Sequence, residues 1–248
     1  MEFLSNKFAT FVDVINGQKF IIKSMDFYND REPVLCFREY FGYKIGRALG
    51  LFIPPTILTI IPTYGRVSMQ IYVEGCRHIT DSEKKYLART PLGNRILIFD
   101  LLTRNHDRRN ENVLVNDRNI FPIDFNVAFN LSEKENTFSA FKNISMSWFG
   151  LHNIVGLKKT DLFAFLDEAY YAQDIITDEF IVCLIKSVDE RFCGAEKIKK
   201  VAYNLRKNRQ LIPYFLQIFW EKVVLPDVYR MEVNKYYENR KKNCIYEA

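Results

Sequence analysis

The stretch Asn105-His106-Asp107-Arg108-Arg109-Asn110-Glu111-Asn112-Val113-Leu114-Val115 runs through a polar turn, Asn116-Asp117-Arg118-Asn119, into Ile120-Phe121-Pro122-Ile123-Asp124-Phe125. Asp107 and Asn112 are five positions apart, and Asp124 follows Asn112 after twelve. A short apolar strand, a turn and a second strand are expected between them. Asp and Asn are frequent in loops because their side chains bond nearby backbone. A turn-rich surface loop is therefore one reading of this stretch. The other gives the three polar side chains a joint chemical task.

Working outward toward the N-terminus, residues 8–23 read as a hairpin. Phe8 to Ile15 is rich in strand formers, Asn16-Gly17 suits a turn that needs positive φ at both positions, and Lys19 to Lys23 returns. A helix is expected from about Pro33 to a glycine cap at Gly50. Glu39 lies on it, with Gly42 and Gly46 on the same face, three and seven positions further on. That thin face would let the helix approach the sheet closely. Strands are expected over Ile57–Ile61 and Val67–Val73. Beyond Gly75 the pattern becomes helical: a helix opening at Asp81-Ser82, an apolar helix over Arg95–Thr103, and helices throughout after Thr160. Thr160 and Thr177 read as N-caps, each followed by an acidic residue. Leu211–Val224 reads as a buried helix, apolar almost all round. The expected fold class is α+β. It is bilobal in plan, with a β-rich lobe over residues 1–73 and a helical lobe over 74–248 that carries the loop 104–129. A cleft between lobes is a natural small-molecule site.

Composition narrows the function classes. The 248 residues are 48% hydrophobic and 15% aromatic, enough for a sizeable core. No apolar run is long enough for a membrane span, and the N-terminus has no secretory pattern, so a cytoplasmic protein is expected. Five cysteines without a Cys-x-x-Cys pair and three scattered histidines offer neither a zinc site nor a disulfide framework; all five thiols are expected free. The net charge of +5 is concentrated in residues 196–248, which hold twelve basic and six acidic residues. Such a tail could meet nucleic acid or an anionic membrane, or be a solvated helix face. The second reading is preferred, and nucleic acid is not an expected partner.

The chemistry that needs these polar types is phosphoryl transfer, where positioning and charge neutralisation do most of the work. One carboxylate faces the attacking hydroxyl. An amide oxygen and a second carboxylate hold magnesium, which takes few protein ligands and prefers hard oxygen. The order and spacing are those of a kinase catalytic loop and metal-binding segment. Asn-x-Asp-Arg-x-x-x-Asn followed by Ile-Asp-Phe resembles HipA-type kinases and phosphatidylinositol 3- and 4-kinases. That resemblance implies a protein-kinase-like fold for the two lobes, with Asp107 as the catalytic aspartate, Asn112 and Asp124 as metal ligands, and ATP and Mg2+ as cofactors. Lys23 takes the place of the phosphate-pairing lysine, and Glu39 that of its ion-pair partner on the following helix. Considered alone, both would be ordinary surface charges. Gln70-Ile71-Tyr72-Val73-Glu74-Gly75 resembles the interlobe hinge of type II phosphatidylinositol 4-kinases, which implies that backbone at Val73, with Tyr72 beside it, binds adenine. Without the resemblance this is a buried strand end. Thr177-Asp178-Glu179-Phe180 and the basic segment after it resemble the C-terminus of small bacterial HipA-like proteins.

Three departures accompany the resemblance. Leu4-Ser5-Asn6-Lys7-Phe8-Ala9-Thr10 lacks the glycines of a phosphate loop, so Ser5 and Lys7 are candidates to hold phosphate by side chain. Ser5 or Thr10 is expected exposed there, open to autophosphorylation. Asn126 replaces the glycine after Ile-Asp-Phe, a mild change because Asn tolerates positive φ. At this length the extra N-terminal subdomain of full-length HipA toxins is not expected, and neither are their partners. The favoured function is a serine/threonine protein kinase acting on a protein substrate. The alternatives are a lipid or small-molecule kinase, a nucleotide-binding pseudokinase and, last, a helical nucleic-acid-binding protein.

Overall fold

The structure is a computed structural model that describes residues 2–5, 10–26, 36–129, 137–153 and 159–221, with strand 2–5 and parts of two helices described by backbone alone. Five strands form one antiparallel sheet: β1 (Glu2–Ser5), β2 (Thr10–Ile15), β3 (Gln18–Ser24), β4 (Thr56–Ile61) and β5 (Gly65–Ile71), in spatial order β1-β2-β3-β5-β4. The hairpin β2–β3 turns on Asn16 at φ 51° and Gly17 at φ 79°, the geometry that the Asn-Gly pair was expected to give. Helix α1 (Cys36–Ala48) packs on β4 and β5. Its expected start at Pro33 lies outside the described residues.

The rest is mainly helical. A small antiparallel sheet of β6 (Arg77–His78), β7 (Val113–Val115) and β8 (Ile120–Pro122) is set among α2 (Asp81–Leu87), α3 (Pro91–Thr103), α4 (Thr137–Asn153), α5 (Lys159–Ile175), α6 (Asp178–Lys186) and α7 (Ala195–Phe219). Local signals account for several ends. Thr80 caps α2 in a reciprocal capping box with Glu83. Thr90 caps α3 with Pro91 at its first position. Thr177 caps α6, accepting from Phe180 N at 3.1 Å. The mixed sheet-and-helix architecture agrees with the α+β expectation.

Some expectations are corrected. Thr160 is not a cap, because α5 has already begun at Lys159. The second strand of the β4–β5 hairpin ends at Ile71, so Tyr72 and Val73 lie beyond it. Tyr214 is exposed, so α7 from residue 211 onward is not buried all round, and the end of the expected helix, residues 222–224, lies outside the described residues. The glycine face of α1 does not meet the sheet. A Cβ at Gly42 would strike the ring of Phe125, and one at Gly46 would strike Ile53 with Phe99 close behind. The thin face admits Phe125 from the helical half and Ile53 from the link between α1 and β4 instead. Phe125 and Phe99 meet edge to face with centroids 5.4 Å apart.

That contact explains where the core sits. One large cluster joins Phe37, Phe41 and Ile45 of α1 to Phe99, Leu101 and Leu102 of α3 and onward to α5 and α7. A smaller cluster of Phe11, Ile22, Tyr64 and Val67 serves the five-stranded sheet. Helix α1 is thus shared between the two halves. Among the described residues, no helix is long and apolar enough to cross a membrane.

Candidate active site

Lys23 is next to last in β3, opposite Thr10 of β2 and Ser68 of β5, so its backbone is fixed on both sides. Its Nζ donates to Glu39 Oε1 at 2.5 Å and to Asp124 Oδ1 at 2.9 Å. Glu39 occupies the first turn of α1 and is buried; Oε1 also accepts from Phe125 N at 3.1 Å. Three elements far apart in sequence therefore converge on one ammonium group. Burial works against that ammonium, but the charges of Asp124 and Glu39 outweigh it and hold its pKa above the ordinary lysine value. For Glu39 burial wins over the attraction of Lys23 and raises the carboxyl. Asp124 is also penalised by burial, yet Lys23 brings its pKa below the ordinary value. A third of the Asp124 side chain remains exposed (33%). Its backbone is left-handed, φ 56°, which turns the chain sharply between β8 and Phe125.

The loop after α3 is built around a buried cation. Arg104 ends the helix in the left-handed region at φ 53°. Arg108 Nε and Nη2 then grip both oxygens of Asp100 at 3.1 and 2.9 Å, while Nη1 donates to Asn112 O and Ile123 O, each at 2.8 Å. Asn105 Nδ2 and Trp148 Nε1 complete the shell of Asp100, each at 3.0 Å. Lys84 Nζ donates to Arg108 O at 2.7 Å. The guanidinium also faces the Phe125 ring, 5.4 Å from its centroid. Neither Asp100 nor Arg108 is exposed to a useful degree, so this pair works as a frame and not as a reagent.

On that frame Asp107 and Asn112 meet. Asn112 Nδ2 donates to Asp107 O at 2.5 Å and reaches Asp107 Oδ2 at 3.3 Å. This spends the amide nitrogen and leaves Asn112 Oδ1 as an oxygen donor. Ile123 N donates to Asn112 O at 3.0 Å, which ties the loop to the Asp124 segment. Asp107 also pairs with Arg109, Nε to Oδ1 at 2.7 Å. The donor types are those a hard divalent cation takes: an amide oxygen on Asn112 and a partly exposed carboxylate on Asp124, on segments tied together by Ile123.

The structure thus joins Lys23, Glu39 and Asp124 directly, joins Asp107 to Asn112 directly, and links the two groups through Ile123. Among the described residues, no hydrogen bond links Tyr72 or Val73 to either group. Tyr72 N donates to Lys19 O at 3.0 Å and its ring lies under Lys19 Nζ at 4.1 Å, so the segment after β5 is held alongside β3. Val73 is half-buried, and no backbone hydrogen bond of Val73 occurs among the described residues. Asn126 O accepts from Arg38 Nη1 of α1, a second tie between helix and loop. Asn6 to Ala9 and the side chain of Ser5 lie outside the described residues, so the expected phosphate contacts of Ser5 and Lys7 do too. Thr10 is buried in the sheet, contrary to its expected exposure, because its position opposite Lys23 faces inward.

Asp100, Arg108, Lys84 and Trp148 were missed in the sequence. One signal was available: Asp100 is the sole charge in the apolar run Ile96–Thr103, and a carboxylate on such a helix demands a buried cation.

No protein-family model matches the sequence, and no curated protein does either. Solved structures do. The Helicobacter pylori proinflammatory kinase CtkA superposes with a TM-score of 0.59 at 13% identity, over 87% of this chain and 94% of that one. HipA, from the Shewanella oneidensis HipA–HipB–operator DNA complex, superposes at 0.51 with 12% identity, over 84% of this chain and 65% of HipA. An N-terminal fragment of Legionella pneumophila LepB gives 0.51 at 16% identity, over 80% of this chain and 45% of the fragment. At these identities the likeness defines the fold. The chain has the kinase-like fold shared by CtkA and HipA.

Proposed function

We propose that the protein is an ATP- and Mg2+-dependent phosphotransferase that modifies serine or threonine hydroxyls of a protein. The observation that carries this reading is the convergence of Lys23, Glu39 and Asp124 next to the Asp107–Asn112 pair, in a fold shared with a kinase. Residues 1–73 would cover the nucleotide, and 74–248 would carry the loop and receive the acceptor.

The roles follow from chemistry. Val73, with Tyr72 beside it, would present backbone to the adenine. Lys23, held by Glu39, would pair with the phosphates. Asn112 Oδ1 and Asp124 would hold the magnesium ion, which would supply neutralisation of the phosphate charge. Asp107 would orient the acceptor hydroxyl and accept its proton as the hydroxyl oxygen bonds to the γ-phosphorus. The bridging oxygen would leave on ADP with the electron pair of the broken bond.

The test is incubation of the purified chain with radiolabelled ATP and magnesium, alone and with protein and lipid panels. Label on a serine or threonine, lost in Asp107→Asn, supports the reading. Label only on lipid favours the lipid-kinase alternative, which the hinge resemblance at Tyr72-Val73 motivates. Nucleotide binding with no transfer to any acceptor would leave a pseudokinase.

A further inference from the structure

We propose that Arg109 guards Asp107, and that the acceptor which displaces it is a serine or threonine flanked by an anionic side chain; this rests on the phosphotransferase reading above. The observation is the pairing itself. Arg109 Nε is 2.7 Å from Asp107 Oδ1, and Nη2 donates to Oδ2 at 3.0 Å. The planar guanidinium covers both carboxylate oxygens in the bidentate manner that suits arginine and not lysine. Among the described residues the other donor to this carboxylate is Asn112 Nδ2, at 3.3 Å. The group assigned to receive the hydroxyl proton is already occupied.

The backbone beneath the pair is fixed. Arg109 N donates to Asp107 O at 2.9 Å, and Asn112 N donates to Arg109 O at 3.0 Å. Asn110 Nδ2 anchors the loop to Asp81 Oδ1 at 2.6 Å. The side chains differ in freedom. Arg109 is 63% exposed and Asp107 30%. The guanidinium is the more exposed of the two and free to turn toward solvent, whereas Asp107 stays where the loop holds it. An exposed ion pair is weak, so the guard is removable.

Charge decides what removes it well. The neighbouring cations are committed: Arg108 to Asp100 and two carbonyls, Lys23 to Glu39 and Asp124. Arg109 alone of these faces the rim of the site. A neutral acceptor that takes Asp107 leaves the guanidinium without its acid. An acceptor bearing a carboxylate beside its hydroxyl gives the fork a second acid to close on while the hydroxyl takes Asp107. The exchange conserves one charge-assisted contact and adds a hydrogen bond at the reacting oxygen. Transfer then proceeds with the bond changes given above, the hydroxyl proton passing to the uncovered Asp107.

The experiment uses the full chain with Mg-ATP and two serine peptides, identical except for Asp or Asn on either side of the serine. Wild type should favour the Asp peptide in kcat/KM by roughly two- to fivefold, the scale of one exposed ion pair. Arg109→Ala should bring the ratio near one, chiefly through KM for the acidic peptide. Arg109→Glu should reverse it, preferring a third peptide with Lys beside the serine. Equal kcat/KM for both peptides with wild type overturns the proposal, as does an undiminished preference in Arg109→Ala. Transfer to phosphoinositide in mixed vesicles with all peptides untouched also overturns it. If wild type transfers phosphate to no acceptor at all, the kinase reading falls and this proposal falls with it; transfer without charge preference sinks the proposal alone.

Discussion

Lys23 Nζ lies 2.9 Å from Asp124 Oδ1 across 101 positions of sequence, while the same nitrogen lies 2.5 Å from Glu39. One cation thus serves two carboxylates from different elements, in surroundings where an unpaired charge is costly. Lys23→Met should leave Glu39 buried without its partner and lower stability by about 3–5 kcal/mol. The double variant Lys23→Met/Glu39→Gln should recover much of that loss and none of the phosphotransfer. Thermal melts beside a radiolabel assay on both variants would check this; a double variant as unstable as the single would contradict the assignment of cost to Glu39.

The loop residues should separate by role. Asp107→Asn should leave Mg-ATP binding within a few-fold of the parent while activity falls by roughly 10²–10⁴, the range for a lost general base. Asp124→Ala should weaken both, and Asn112→Ala should follow it more mildly because a neutral ligand is lost. Calorimetric titration with Mg-ATP, paired with a transfer assay, measures both quantities. Normal turnover in Asp124→Ala would refute the metal-binding role.

Glu39 makes a prediction about pH. Its carboxyl is raised in the folded protein, mainly by burial. The folded state therefore holds this proton more tightly than the unfolded chain, and stability from this group falls as pH rises from the ordinary glutamate range, about 4.3, through the raised value. Glu39→Gln should be at least as stable as the parent at neutral pH, with the difference shrinking on acidification. Activity should nevertheless drop, because Lys23 loses its anchor. Urea midpoints at several pH values would show the convergence; a variant that is less stable at neutral pH and gains at low pH would invert the sign.

Asp100 and Arg108 should matter without touching substrate. Asp100→Ala would strand a buried guanidinium, at a cost of about 3–5 kcal/mol. Asp100→Asn keeps the shape and one acceptor, so it should fold and yet lower kcat with little change in KM, since Arg108 would hold the Asn112 and Ile123 carbonyls less firmly. Steady-state kinetics on Asp100→Asn tests this; a pure KM effect would argue against a positioning role.

Thiol reactivity should follow burial. Cys36 donates to Lys23 O at 3.1 Å, and burial pushes its pKa up to about 12; burial takes Cys193 to about 11. Cys183 is exposed, and the four described cysteines are free. Native-state alkylation at neutral pH should label Cys183 rapidly and spare Cys36 and Cys193 until denaturant is added, as peptide mapping by mass spectrometry would reveal.

The parts of the site legible in sequence are those fixed by short-range order. Asn16-Gly17 sets a hairpin register, and that register places Lys23 opposite Thr10 and Ser68. The polar spacing from Asp107 to Asp124 spans one turn and two short strands, so local geometry brings its ends together. Asp100 with Arg108, Lys84 and Trp148 was harder, because those partners lie on separate elements and their contacts depend on how helices pack. The pairing of Arg109 with Asp107 is a side-chain choice among several neighbouring charges, which spacing does not decide. Thr160 misled for a related reason: a cap requires the chain to leave helical geometry, and the hydroxyl alone does not enforce that.

Gly42 has a bearing on how such chains lose activity over time. Its missing Cβ is the space in which the Phe125 ring rests, and Phe125 N in turn reaches Glu39. One added methyl group would wedge α1 away from the loop and pull Glu39 from Lys23. Every polar residue of the site would still be encoded. A lineage could thus become silent through a change that an inventory of lysines, aspartates and asparagines would pass as intact, and the position to inspect when judging a relative is a glycine that does no chemistry.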